Sequence, residues 1–435
     1  MPASGIDCFK VMLATAVSLR INGPMLWIHC VGPSSGMKTT IAGIVASAAD
    51  TCFMVSSFNG FYSGTKTANG SDPGLVPRIQ GRVLIIPDLT PLFNSSKDHQ
   101  NEVFGDFRDI YDGKGRKLYK TGLDRNYDKV VFGCITCVTD DIRKYSRSDL
   151  GERFLMSEIN ANWNAKGVFI PEILDTKSEG NAFQSVFNNM ASGLDTSQDG
   201  IPTLDELAPE RAMCWGLINH LFEWMSEESS NLSSCAKAIG DNSDFKSEVE
   251  ALAIWLEHAR CPMPGKNEDQ MVVSRPALPH RSIKQLAKLA MCLCIVEKTT
   301  TLTDEVRRLV RKIAFDTSYG IPLRVMNWLA VNPNYPNIQL ADAMGCSPTW
   351  ISRVCNHLQT IGVISRNLRN NNSGNRGAPM MCYDLTEPFR LHATTLRLSP
   401  EKEVVPKQLK TLTGLFGRSS ANGSSFLERI QRKAQ

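Results

Sequence analysis

Met25-Leu-Trp-Ile-His-Cys-Val31-Gly32-Pro33-Ser34-Ser35-Gly36-Met37-Lys38-Thr39-Thr40 joins an apolar run of strand length to a loop of glycine, serine and proline. The apolar run suits a strand buried on both faces of a parallel sheet. Thr39–Ala49 then reads as a helix rich in small apolar residues. Gly32 stands six residues before Lys38 and Thr39 directly follows it, the spacing G-x-x-x-x-G-K-[ST] of a loop that cradles phosphates. In such a loop backbone amides converge on the phosphates, the lysine meets the β and γ oxygens, and the hydroxyl meets Mg²⁺. Gly32, Pro33, Ser34, Ser35, Gly36, Met37, Lys38, Thr39 and Thr40 are therefore the candidate nucleotide-binding residues, and ATP with Mg²⁺ is the expected cofactor. Met37 stands where glycine is usual. A side chain is tolerable there only if the position does not need positive φ.

On either side of the loop the pattern stays that of an α/β domain. Residues 4–20 read as an amphipathic helix, broken by Asn22-Gly23-Pro24. Cys52–Val55, Arg82–Ile86 and Lys129–Val138 are further apolar runs of strand type. Val83-Leu-Ile-Ile-Pro-Asp88 ends in a single carboxylate, where ATPases of this type usually place two acids, one near Mg²⁺ and one polarising water. Asp88 must do both jobs, or hydrolysis is slow. Asp98–Tyr111 reads as a helix and Asp112–Gly122, with Lys114, Arg116, Lys117 and Lys120, as a hairpin. Beyond residue 155 helices dominate: Glu210–Met225, Phe245–His258, Arg281–Glu297 and Asp304–Asp316, with Ser226–Ser243 read as a Ser/Asn-rich loop.

The chain has 435 residues, 42% hydrophobic and 21% charged, which predicts two to three globular domains and excludes a wholly disordered chain. No run of 18 apolar residues exists, so no membrane span is expected. Asp7 and Lys10 interrupt the first apolar stretch, which argues against a cleaved signal peptide. The 13 scattered cysteines suit buried thiols in a reducing compartment. Cys134-Ile-Thr-Cys137 has no second pair to complete a zinc site, and the seven histidines form no ligand cluster. The net charge of +4 is uneven: residues 319–395 carry six Arg against three acids, and residues 396–435 carry eight Lys and Arg against three acids. Positive charge therefore gathers at the C-terminal end, where a polyanion is expected.

The order of Gly32–Thr39, Gly81–Asp88, an apolar strand ending at Thr139, and Gly151-Glu152-Arg153-Phe154 resembles an AAA+ ATPase. Its layout is most similar to MCM-type replicative helicases and their shorter phage or mobile-element relatives. The resemblance covers about residues 5–160 and 275–318. It implies that Arg153 reaches the ATP of a neighbouring subunit, that Thr139 replaces the usual sensor Asn, and that Arg281, in Arg281-Ser-Ile-Lys, is a second sensor opening a lid helix. It also implies a mobile loop at Ser56–Gly74, and it places Lys114, Arg116 and Lys117 in a hairpin that would grip DNA phosphates in a ring's channel. A solvated surface turn is the alternative for that hairpin, and an ordinary surface or helix-start arginine is the alternative for Arg153 and Arg281.

The C-terminal end has a second local signature. Leu323–Val331, Asn337–Met344 and a helix entered at Pro348 and ended by Gly362 precede strands at Val363–Arg366 and Met380–Leu385. The order is that of a winged helix-turn-helix. Ile351, Val354, Leu358 and Ile361 take the inward face of its third helix, which leaves Trp350, Arg353, Asn356, His357 and Thr360 facing outward. Arg366, Arg369 and Arg376 fall in the wing. Such residues reach base edges and phosphates, although some winged helices bind proteins instead. The expected architecture is thus α/β: a P-loop AAA+ core (1–160) with a parallel sheet flanked by helices, a helical lid region (161–318), a winged helix-turn-helix DNA-binding domain (319–395) and a basic flexible tail (396–435). The expected function is ATP-driven DNA unwinding or remodelling by a self-associating ring, expected to be a hexamer, in the bacterial cytoplasm, with catalysis by Asp88, Arg153 and Thr139 and metal contacts from Thr39 and Asp88. An ATP-switched DNA-binding regulator or initiator with little turnover is the alternative.

Overall fold

β1 (Trp27–Val31) is buried at every position, and the computed structural model places it inside a parallel sheet. The structure describes residues 3–34, 36–58, 60–145, 153–159, 208–263, 275–369 and 380–398. β2 (Cys52–Met54), β3 (Val83–Ile86), β6 (Gly133–Val138) and β7 (Leu155–Glu158) complete the sheet in the order β2-β3-β6-β1-β7. All four pairings are parallel. β4 (Lys114–Leu118) and β5 (Asp124–Asp128) form a separate antiparallel hairpin between β3 and β6. This strand order puts the phosphate loop after β1 and the acid after β3 at one edge of a parallel α/β sheet, as a P-loop core requires.

Alternation along the strands divides the interior in two. Ile28, Cys30, Ile85, Ile135 and Cys137 face a core shared with the helices Ala3–Val17, Lys38–Val45 and Ala208–Glu227. Trp27, Val31, Leu84, Ile86, Cys134 and Val138 face a second core with Phe61, Phe104 and Phe107. Cys134 and Cys137 thus lie on opposite faces of β6, which disposes of a shared metal. The helices Ser243–Ala259, His280–Val296 and Asp304–Thr317 form the helical lid beside this core. Asp7 and Lys10, the charges that interrupt the first apolar stretch, are buried against it: Asp7 meets Arg308 at 2.6 Å, and Lys10 meets Glu297 at 2.6 Å and Glu305 at 3.1 Å. The edge of β7 is covered by the helix Asp304–Thr317, because Thr317 Oγ1 and Asp316 Oδ2 accept from the amides of Met156 and Glu158, each at 2.8 Å.

The winged helix-turn-helix follows directly. Helices Ile321–Val331, Asn337–Met344 and Pro348–Thr360 pack with an antiparallel sheet in the order β8 (Tyr335–Pro336), β10 (Met380–Leu385), β9 (Ile364–Arg369), and the helix Glu387–Thr395 closes the unit. Its core is continuous with that of the lid. Trp255 Nε1 donates to Asn327 Oδ1 at 2.9 Å, and Trp255 packs on Phe389.

Two expectations are corrected. Ser226–Ser243 is no loop: a helix runs over Ser229–Asp241 because Leu232, Cys235 and Ile239 fall on one buried face, and that burial outweighs the poor helix propensity of Ser and Asn. The strand expected from Lys129 begins at Gly133, and Lys129 itself has φ +58. The segment Ser56–Gly74 contacts the hairpin: Arg125 Nε donates to Ser63 O at 3.1 Å and its guanidinium pairs with Asp72, while Tyr62 stacks on Tyr127.

His29 sits in the middle of β1 with no exposed surface. Its Nδ1 shares a hydrogen bond with Thr136 Oγ1 at 2.5 Å, and its ring stacks on Phe154 at 3.9 Å. Nε2 has no partner among the described residues. Burial lowers its pKa to about 3. A folded-state value below the unfolded one means that stability is complete above pH 6.5 and is lost as pH falls towards 3. Each unit is worth about 1.4 kcal/mol. Denaturant midpoints at pH 7 and pH 5 should therefore show a loss of about 2 kcal/mol in the wild type that His29→Gln does not share; equal losses in both would contradict this origin.

Candidate nucleotide site and nucleic-acid interface

The carboxyl edge of the sheet gathers the expected nucleotide residues. Gly32 follows β1, Asp88 follows β3 with Pro87 between, and Thr139 follows β6, the strand that lies between those two. Gly32 N donates to Val138 O at 3.3 Å, and Leu89 N donates to Cys137 O at 3.2 Å. These bonds fix the three loops against one another. Thr39 Oγ1 donates to Pro87 O at 3.3 Å, which sets the hydroxyl beside the Asp88 loop. Asp88 is exposed, and its Oδ1 caps Thr90 N at 2.8 Å. An exposed hydroxyl beside an exposed carboxylate is a fitting pair of oxygen donors for Mg²⁺. Ser35 lies outside the described residues.

Lys38 is buried, and its Nζ donates to Gly32 O at 2.8 Å and to Pro33 O at 2.5 Å. Burial lowers its pKa, and the carboxylates of Asp140 and Asp88 oppose that effect. The two glycines have steric reasons. A Cβ on Gly32 would lie 3.0 Å from Ile159 O, and one on Gly36 would lie 2.9 Å from Pro33 O.

Met37 corrects the sequence expectation: it adopts φ +62, the left-handed conformation that favours glycine. That backbone costs a side-chain-bearing residue roughly 1–2 kcal/mol, against about 0.5–1 kcal/mol of extra chain entropy for glycine. Met37→Gly relieves that backbone but gives up the packing of the side chain on the core, so it should stay within about 1 kcal/mol of the wild type and keep nucleotide binding, whereas β-branched Met37→Val should lower stability. Thermal melts of both variants test this.

Asp140 was missed by the sequence argument. It follows Thr139 in the turn after β6, the strand next to β1, adds negative charge near Lys38, and pairs with Arg143 at 3.0 Å. The available signal was an acid directly after the sensor position.

Arg153 and Arg281 lie elsewhere. Leu155 is level with Ile28 in the parallel register, so Arg153 is level with Leu26, six residues before Gly32. At about 3.3 Å per residue that is about 20 Å, farther than an arginine side chain reaches. Arg153 is buried and its Nη2 meets Asp112 Oδ2 at 2.7 Å. Arg281 Nη2 meets the other oxygen of the same carboxylate at 3.4 Å. Both arginines therefore stand at the amino edge of the sheet, opposite their own phosphate loop.

The hairpin cations are largely neutralised within the chain. Arg116 pairs with Asp124 at 2.8 Å, and Lys117 pairs with Glu102 at 2.8 Å and Asp106 at 3.0 Å. Lys114 is exposed.

On the third helix of the winged unit, Ser347 Oγ caps Trp350 N, and Gly345 turns the chain with φ +63. Trp350 and Asn356 are exposed, and Arg353 lies over the Trp350 ring at 5.6 Å. His357, expected outward, is buried at 7% exposure; it follows the buried Val354 by three positions and so shares the inward stripe. Arg366 and Arg369 are exposed on β9, but an odd separation puts them on opposite faces. Arg366 shares its face with the core residues Ile364 and Leu385. Arg376 lies outside the described residues.

No protein-family model and no curated protein matches this chain. Among solved structures it is similar to the Aeropyrum pernix ORC1 protein in complex with DNA, at 9% identity, with 90% of this chain and 92% of that chain covered and a TM-score of 0.22. A likeness of that size carries no argument about ligands. No helix among the described residues is long and apolar enough to cross a membrane.

Proposed function

We propose that this chain is an ATP-binding and hydrolysing AAA+ protein that binds DNA through its winged helix and shares each ATP site between two subunits of a ring. The observation that carries this reading is the division of the catalytic parts. Lys38, Thr39, Asp88 and Thr139 converge on the carboxyl edge, and Arg153 stands about 20 Å away on the other edge. An arginine so placed meets a γ-phosphate only across an interface. Lys38 would counter the β and γ oxygens, Thr39 and Asp88 would hold Mg²⁺, and Asp88 would orient water with Thr139 beside it. Mg²⁺ supplies charge neutralisation at the transferring phosphoryl group. The work served is DNA unwinding or remodelling in replication, as the resemblance to MCM-type helicases and their phage or mobile-element relatives implies.

A second reading has its own support. Asp88 is the one acid at the end of β3, and Pro87 stands before it, so a slow ATPase that switches an initiator or regulator between assembled states uses the same site. Steady-state ATP hydrolysis with and without single-stranded DNA separates the two. Turnover stimulated by DNA supports the motor; nucleotide binding without turnover supports the switch.

DNA contact is tested separately. Arg353→Ala should cost about 1–3 kcal/mol on a preferred duplex and little on random duplex if the residue reads a base. Truncation after Thr395 should weaken all duplexes and flatten the salt slope. If neither change alters binding, the winged helix binds protein instead.

A further inference from the structure

Asp112 ends the helix Lys97–Tyr111, and its carboxylate is half exposed. A carboxylate at a helix C-terminus opposes the helix dipole, so its retention there depends on cations. Arg153 and Arg281 supply them, one on each oxygen, at 2.7 Å and 3.4 Å. Both guanidinium groups also lie over the Tyr111 ring, at 5.8 Å and 5.6 Å. Gln285 completes the frame: its Nε2 donates to Tyr111 Oη at 3.0 Å and to Arg153 O at 2.8 Å. Arg153 Nε, a donor, is buried with no partner among the described residues. The two arginines are thus prearranged for a two-oxygen anion, with one donor left over.

We propose that Asp112 is a place-holder: in the free subunit its carboxylate occupies the position that a phosphate group, on the nucleotide of a second copy of this chain, takes on assembly. The inference rests on the shared ATP site proposed above. Two guanidinium groups bind a carboxylate and a phosphate through the same forked donors, so the two anions exclude each other. Assembly then requires the arginines to leave Asp112, which sets a threshold of protein concentration. The exposed side of the carboxylate leaves a path for exchange.

The test is sedimentation velocity of the full chain with Mg²⁺ and a slowly hydrolysed ATP analogue, read as the protein concentration at half assembly. Asp112→Asn and Asp112→Ala should both lower that midpoint by about three- to tenfold, the size expected for losing two partly exposed ion pairs. Asp112→Glu, which keeps the charge, should stay near the wild type. Analogue affinity measured below the assembly threshold should be unchanged in all three, since Asp112 is remote from the phosphate loop. A midpoint that is unmoved or raised in either neutral variant overturns the place-holder and leaves the shared site standing. A wild type that binds the analogue without assembling overturns both.

Discussion

Lys38→Ala is expected to lower ATP affinity by about 100-fold or more. Each charge-assisted hydrogen bond to a phosphate oxygen contributes about 1.5–3 kcal/mol, and the lysine is placed to make at least one to each of the β and γ groups. In the structure its ammonium donates to the carbonyls of Gly32 and Pro33, which hold it against the loop. Removing the side chain leaves both carbonyls short of a donor, so a modest loss of stability is expected beside the large loss of binding. Fluorescent-nucleotide titration, with far-UV circular dichroism to confirm the fold, separates the two effects. Wild-type affinity in a folded Lys38→Ala protein would remove the reading of Gly32–Thr39 as a nucleotide site.

The phosphate loop and the winged helix were legible because their signals are local. Gly32, Lys38 and Thr39 lie within eight residues of sequence, and the helices and strands of 321–385 announce themselves by Pro, Gly and apolar spacing. What could not be read depends on contacts between distant residues. β7 (Leu155–Glu158) is only four residues long and acquires its identity from Ile28–Val31 and from Thr317. The helix Ser229–Asp241 has a sequence that favours loops and a buried stripe of three residues that overrides it. Met37 shows the opposite case, a motif residue in a backbone conformation its side chain disfavours. Arg153 and Arg281 were recognisable as candidates by position, but their meeting on Asp112 joins residues 41 and 169 positions apart. No spacing rule reaches that far.

Arg153→Ala should keep ATP binding and lose turnover by about 1000-fold, the lower end of the effect of an arginine supplied across an interface. The register of β7 against β1 gives the reason: Arg153 cannot reach the phosphates held by its own Lys38, so its loss leaves that loop intact. The same geometry predicts complementation. A Lys38→Ala subunit has a dead loop but an intact Arg153, and it can serve the competent loop of an Arg153→Ala neighbour. In a head-to-tail ring mixed at equal ratio, about a quarter of the interfaces then carry both working parts. Turnover should therefore rise from near zero for each variant alone to about a quarter of the wild-type rate. Adding Arg153→Ala to the Lys38→Ala chain removes the donor and should abolish the rescue. Recovery in that last mixture, or none in the first at any ratio, would place Arg153 outside the ATP site and leave its bond to Asp112 as a fold contact alone.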